Sequence, residues 1–111
     1  MLENQKICRV IEEFSLYLLE AEVNTLNISV SRSKNKVSIL FVCDKIEEDL
    51  LEELNEIFKT KRQHEFEVYG WELIGQGDAE GHELMLVNNL VDYFTYYIRD
   101  GKVYFNLVRY E

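Results

Sequence analysis

Proline is absent from this chain of 111 residues, and cysteine occurs only twice, as Cys8 and Cys43. Without proline or a Gly/Ser-rich tract, no segment reads as a linker, and neither a repeat nor a low-complexity stretch divides the chain. A single domain spanning 1–111 follows, large enough to bury roughly 65% of the surface its unfolded chain exposes. Two cysteines cannot build the disulfide framework of a small secreted module. They allow one Cys8–Cys43 bridge, but both lie in apolar patterns, where free buried cysteine is the expected state. Long apolar runs are missing as well. Nowhere do 18 apolar residues follow one another, and the start, MLENQKICRVIEEF, lacks the apolar core of a signal peptide. The expectation is a cytoplasmic protein with no membrane span.

Basic residues are scarce. Twelve Lys and Arg stand against 21 Asp and Glu, a net charge of −9. Such a field repels phosphate backbones and anionic lipid and attracts cationic partners, so nucleic-acid binding is disfavoured. Also lacking are a serine in a nucleophile-elbow context, a phosphate-cradling glycine loop and an aromatic RNA platform flanked by bases. No residue is assigned a catalytic role, and no cofactor is expected.

What is present is clearest at the end of the chain, in DYFTYYIRDGKVYFNLVRY. Asp100-Gly101 between β-branched and aromatic runs is a strong signal for a two-residue hairpin turn. It sets Arg99 opposite Lys102, Ile98 opposite Val103, Tyr96 opposite Phe105 and Phe94 opposite Leu107, and closes the ladder with Asp92 and Arg109. One face is then apolar and suits a core. The other carries Tyr93, Thr95, Tyr97, Tyr104, Asn106, Val108 and Tyr110, apolar in body and polar at the tips.

Upstream, apolar residues at helical spacing from Ile7 to Ala21 predict an amphipathic helix over 3–22, with Asn24 as its left-handed stop. Leu16 and Leu19 widen the stripe toward a second packing surface. Residues 25–32 and 36–43 alternate, and a turn at Lys34-Asn35 brings Val30 opposite Ile39, Ile28 opposite Phe41 and Leu26 opposite Cys43. Arg32, Lys34 and Lys36 cluster at that tip as a solvated turn. Asp44 with Glu47 resembles a capping box opening a second helix, which buries Leu50, Leu51, Leu54, Ile57 and Phe58 and runs to about residue 69. Its acids, Glu48 and Glu52 among them, come first and its bases last, which suits the helix dipole and also makes an acidic ridge.

Strands are expected over 71–76 and 82–88, with a turn at Asn88-Asn89. A helix over 83–98 competes, because Leu84, Val87, Val91, Phe94 and Ile98 also sit at helical spacing. The strand reading makes the fold class α+β, two helices packed on an antiparallel sheet in the order α-β-β-α-β-β-β-β.

Two functional expectations follow. The first is a small acidic non-catalytic protein-interaction domain, of the size and charge of immunity proteins or secretion chaperones. It would use Tyr93, Tyr97, Tyr104 and Tyr110, with Glu48 and Glu52 toward a basic partner, or associate with itself sheet to sheet as a homodimer. The second is a small-ligand or metal-binding protein or enzyme with its site at the 75–83 loop, near Trp71. There Asp78, Glu80 and His82 offer carboxylate and imidazole ligands suited to zinc, manganese or iron. His64 reads as a surface histidine.

Overall fold

The structure, a computed structural model, describes residues 2–59 and 82–111. They form three helices and four strands: α1 (Glu3–Glu20), β1 (Leu26–Ser33), β2 (Lys36–Cys43), α2 (Glu48–Ile57), α3 (His82–Leu90), β3 (Tyr93–Arg99) and β4 (Lys102–Tyr110). The fold is α+β. All strand pairs are antiparallel, and the order across the sheet is β1-β2-β4-β3.

Both hairpins have the register that alternation demands. Leu26, Ile28 and Val30 face Cys43, Phe41 and Ile39. Phe94, Tyr96, Ile98 and Arg99 face Leu107, Phe105, Val103 and Lys102. Asp100 and Gly101 turn with φ of 52° and 77°, the two left-handed residues that a turn matching strand twist requires. The central strands β2 and β4 join the hairpins, with Phe41 beside Phe105.

The helices cover one face. Fully buried Phe14 of α1 sits 4.7 Å from the Phe41 ring and 5.3 Å from Phe105. Phe58, the C-cap of α2, stacks on Phe94 of β3 at 4.3 Å. Tyr17 of α1 donates to the Glu53 carboxylate of α2 at 2.8 Å. Burial, then that hydrogen bond, pushes its phenol above the ordinary value. At the other end, buried Arg109 of β4 forks onto Glu3 of α1, Nη2 to Oε1 at 3.1 Å, and Nη1 donates to the Leu90 carbonyl of α3 at 2.5 Å.

Several expectations need correction. Residues 82–88 are helical, not a strand, and Asn88 and Asn89 lie inside α3 rather than in a turn. Leu84, Leu86, Val87 and Leu90 are all buried, and Asn89 Nδ2 donates to the Met85 carbonyl one turn back at 2.7 Å. The competing helix over 83–98 holds only to Leu90, beyond which Val91 and Asp92 lead into β3. Helix α2 ends at Ile57, with Phe58 as its C-cap stacked on Phe94, and the expected continuation over 60–69 lies outside the described residues. Its N-cap is Glu47, without a side-chain cap. The Asp44 carboxylate is used elsewhere. It accepts from the Asn24 and Thr25 backbone N–H groups at 2.9 and 3.2 Å, and from Asn24 Nδ2 at 3.1 Å. The left-handed residue after α1 is therefore Glu22 (φ 65°), while Asn24 is engaged by Asp44. Helix α1 does meet more than one surface, the sheet through Phe14 and also α3, but Leu16 and Leu19 are exposed and serve neither. The expected strand 71–76 lies outside the described residues. Among the described residues no helix is long and apolar enough to cross a membrane.

Two outcomes test this framework. Arg109→Met is expected to cost about 3 kcal/mol in denaturant unfolding, the usual size for removing one member of a buried pair, whereas Glu3→Gln, whose side chain is 33% exposed, costs less. For Asp44, the Thr25 N–H ahead of the Asn24 groups holds the carboxyl below its ordinary value. A depressed carboxylate stabilises above its unfolded pKa, and that stability is lost as pH falls through the folded value. Asp44→Ala should therefore melt lower than wild type at neutral pH, and the two melting curves should converge in strong acid.

Candidate functional site

Strand pleating sends alternate side chains to opposite faces, so the face away from the helices is fixed once Phe41, Phe105 and Leu107 point inward. Its rows follow from the register. Ser31, Ser38, Val108 and Tyr93 form one row, Ser29, Leu40, Asn106 and Thr95 the next, and Asn27, Val42, Tyr104 and Tyr97 the third. Lys36, Tyr110, Lys102 and Arg99 stand at the two ends.

The four candidate tyrosines are brought onto this one face as two pairs. Tyr97 and Tyr104, cross-strand neighbours, stack with ring centroids 4.7 Å apart and planes within 3°. Tyr93 and Tyr110 meet edge to face at 5.7 Å. Burial, then the adjacent Tyr93, raises the Tyr110 pKa. The pairs lie about 13 Å apart, four residues along β3. Tyr93, Tyr97 and Tyr110 are 57%, 51% and 46% exposed, whereas Tyr104, Leu40 and Val42 between them are half-buried and Val108 is buried. Mutual stacking therefore holds the rings in place while leaving their outer surfaces open.

The chemistry of this face differs from that of the rest of the chain. None of the four strands contains an Asp or a Glu, although the chain has 21 of them. The strand cations at its margins are Lys36, Arg99 and Lys102. Ten acids lie instead on the three helices, among them Glu48 and Glu52, exposed one turn apart on α2, and Asp92 and Asp100 flank β3 at its ends. That helix packs on the opposite side of the sheet, through Phe58 on Phe94 and Asn55 Nδ2 donating to the Tyr96 hydroxyl at 3.2 Å. Glu48 and Glu52 thus share no surface with the tyrosines. The segregation was readable from the chain as acid-free strand segments, a signal that a search for motifs passes over.

Of the metal candidates, Asp78 and Glu80 lie outside the described residues, as do Trp71, His64 and the 75–81 stretch; His82 is the first residue of α3. Among the described residues no group of three or more His, Cys, Asp or Glu side chains could hold a metal ion. Neither cysteine is bridged. Cys43 is 1% exposed, and burial, then the Asp44 charge, pushes its thiol up to about 11, which keeps it protonated and unreactive at neutral pH. Cys8, expected to be buried, is exposed on α1.

Compared with protein-family models and with curated protein sequences, the chain matches none.

A thiol reagent should label Cys8 alone on the folded chain and Cys43 only after denaturation, read as one and then two adducts by intact-mass spectrometry. Prompt double labelling would contradict the buried setting of Cys43.

Proposed function

We propose that this domain is a protein-interaction module that holds a partner protein on its open, tyrosine-bearing sheet face. The observation that supports this most is the make-up of that face: two fixed tyrosine pairs around Leu40, Val42 and Val108, with no acid on any strand of a strongly acidic chain. Tyrosine contributes large contact area at little rotamer cost, and its hydroxyl remains hydrogen-bonded when the ring is covered. Serine, threonine and asparagine between the rings supply adaptable donors and acceptors. The charge pattern selects the partner's chemistry. Lys36, Arg99 and Lys102 favour a protein surface that is apolar at its centre and neutral or acidic at its margin.

A second reading rests on Glu48 and Glu52. Both are exposed on α2, and neither is ion-paired to another described residue. A basic partner would dock there, on the other side of the molecule.

Affinity capture from the native cell with three baits separates the readings. Tyr97→Ala with Tyr104→Ala removes the stacked pair, whose ring–ring contact contributes about 1 kcal/mol beyond the area it buries, and is expected to lose the captured protein while keeping its far-UV circular dichroism. Glu48→Lys with Glu52→Lys is expected to keep it. The opposite pattern, with capture lost only on charge reversal and steeply salt-sensitive, would assign the partner to the helix ridge. Capture unchanged in the tyrosine double variant would overturn the sheet-face reading.

A further inference from the structure

Among the described residues, the sheet has an undefended edge. Strand β1 pairs only with β2 among the described residues, over an unbroken register from Leu26 to Ser33. Natural edge strands carry prolines, bulges, inward charges or short lengths that prevent pairing with other chains. β1 has eight residues, no proline, no bulge and one charged side chain, Arg32. Its helix-side residues are also uncovered, with Ile28 40% and Val30 50% exposed, whereas Ile39 and Phe41 beside them are buried. Among the described residues the helix layer thus stops short of β1 and leaves two β-branched side chains and an open backbone edge together.

The hydrogen-bond phase shows which backbone groups are open. Glu111 N donates to the Asn35 carbonyl at 2.8 Å, so odd-numbered residues at β2 turn their backbone toward β4 and even-numbered ones toward β1. Lys36 then bonds Ser33 across the two-residue turn, as such turns require. On β1 the odd-numbered residues bond β2, and Leu26, Ile28, Val30 and Arg32 present their N–H and C=O groups outward.

We infer that β1 pairs antiparallel with β1 of a second copy, about a two-fold axis at Ser29. In this register Ile28 faces Val30 of the other copy and Val30 faces Ile28, so each exposed apolar side chain covers its counterpart. The outward backbone groups of the even-numbered residues meet their like, as a ladder needs. Asn27 faces Ser31, and Ser29 faces itself on the tyrosine side. Shifting the strand by one residue in either direction would oppose helix-side to tyrosine-side residues. Shifting it by two toward the turn would set Ile28 against Arg32. Charge favours the same site: two chains of −9 each approach most easily along a strand without acids. The inference uses neither the tyrosines nor any partner and stands apart from the function proposed above.

Pairing along one strand buries little area and belongs to the weak class of interfaces, so the dimer is read by trapping. At the axis, residue 29 faces its own copy in a non-hydrogen-bonded pair with Cα atoms about 4.5 Å apart, within disulfide range. Residue 27 and its copy lie about 13 Å apart, four residues of strand. In a Cys8→Ser background, Ser29→Cys is expected to form a covalent dimer of twice 13.2 kDa on mild oxidation of concentrated protein, and Asn27→Cys to remain monomeric. Adding Val30→Lys to Ser29→Cys, a change at a half-exposed site that the monomer tolerates, should reduce the covalent dimer at least tenfold. Equal crosslinking of Ser29→Cys and Asn27→Cys, no crosslinking of either, or insensitivity to Val30→Lys would overturn the inference.

Discussion

The Arg109 guanidinium is the contact on which the arrangement of the remaining parts depends. It sits on the last strand, 5% exposed, yet its donors reach Glu3 near the start of the chain and the Leu90 carbonyl at the end of α3. Each partner lies at a helix end where its charge complements the dipole. Glu3 is an anion in the first turn of α1, and Arg109 places a cation against the terminal carbonyl of α3. One side chain therefore satisfies a buried helix end, neutralises an acid and fixes two helices to one strand. Because Arg109 points to the helices, pleating sends Tyr110 and Val108 the other way. The identity of the open face follows from the direction of that one residue.

The same logic explains why only one face is covered. Phe14 touches Phe41, Phe58, Phe94 and Phe105, so α1, α2 and the central strands share one aromatic centre. A helix layer organised around one ring reaches only a limited width. It covers β2 and β4 fully and β3 through Phe58, and it leaves Ile28 and Val30 on β1 and Ile98 on β3 exposed. The strands themselves carry no acid, whereas α1 and α2 on the helix side carry nine, and Asp92 meets the tyrosine side only at the strand ends, where it accepts from the Tyr110 N–H at 2.6 Å. Strands and helices thus differ in electrostatic character.

Both hairpins were legible in the chain because turn chemistry and a period of two each fix the register, and they agree. Asp100-Gly101 and the match of Leu26, Ile28 and Val30 to Cys43, Phe41 and Ile39 left one alignment open. The tyrosine face followed from the same alternation. α3 was misread because His82 to Leu90 is short and apolar on most sides: Leu84, Leu86, Val87 and Leu90 are all buried, so neither period stands out. The end of α2 was hidden because Phe58 continues the helical stripe in sequence, whereas in the fold it is the C-cap, stacked on a ring 36 positions later. Asp44 has the spacing of a cap, but Asn24 and Thr25, 20 and 19 residues earlier, offer it three donors. Local pattern lost to tertiary partners in each case. The separation of charge was written in the composition of the strands and needed only the element boundaries to become visible.

The open face and the open edge have a common origin. A strand that lacks acids and prolines is suited to lie beside a face meant for contact, since charges on it would project into that face at every second residue. The same composition removes the usual protection from its edge. On β1 the three serines and Asn27 keep the tyrosine side polar without charge, and Ile28 and Val30 remain on the helix side without cover. β3, the other edge, differs: Phe58 stacks on Phe94, and Asn55 binds the Tyr96 hydroxyl, so the inward side chains of its first half are already engaged. Two copies joined at β1 would extend the acid-free face across eight strands and set a tyrosine cluster at each end. The described helices of both copies stay on the far side of the combined sheet. Pairing at β1 would therefore enlarge the contact face along strands that carry no acid.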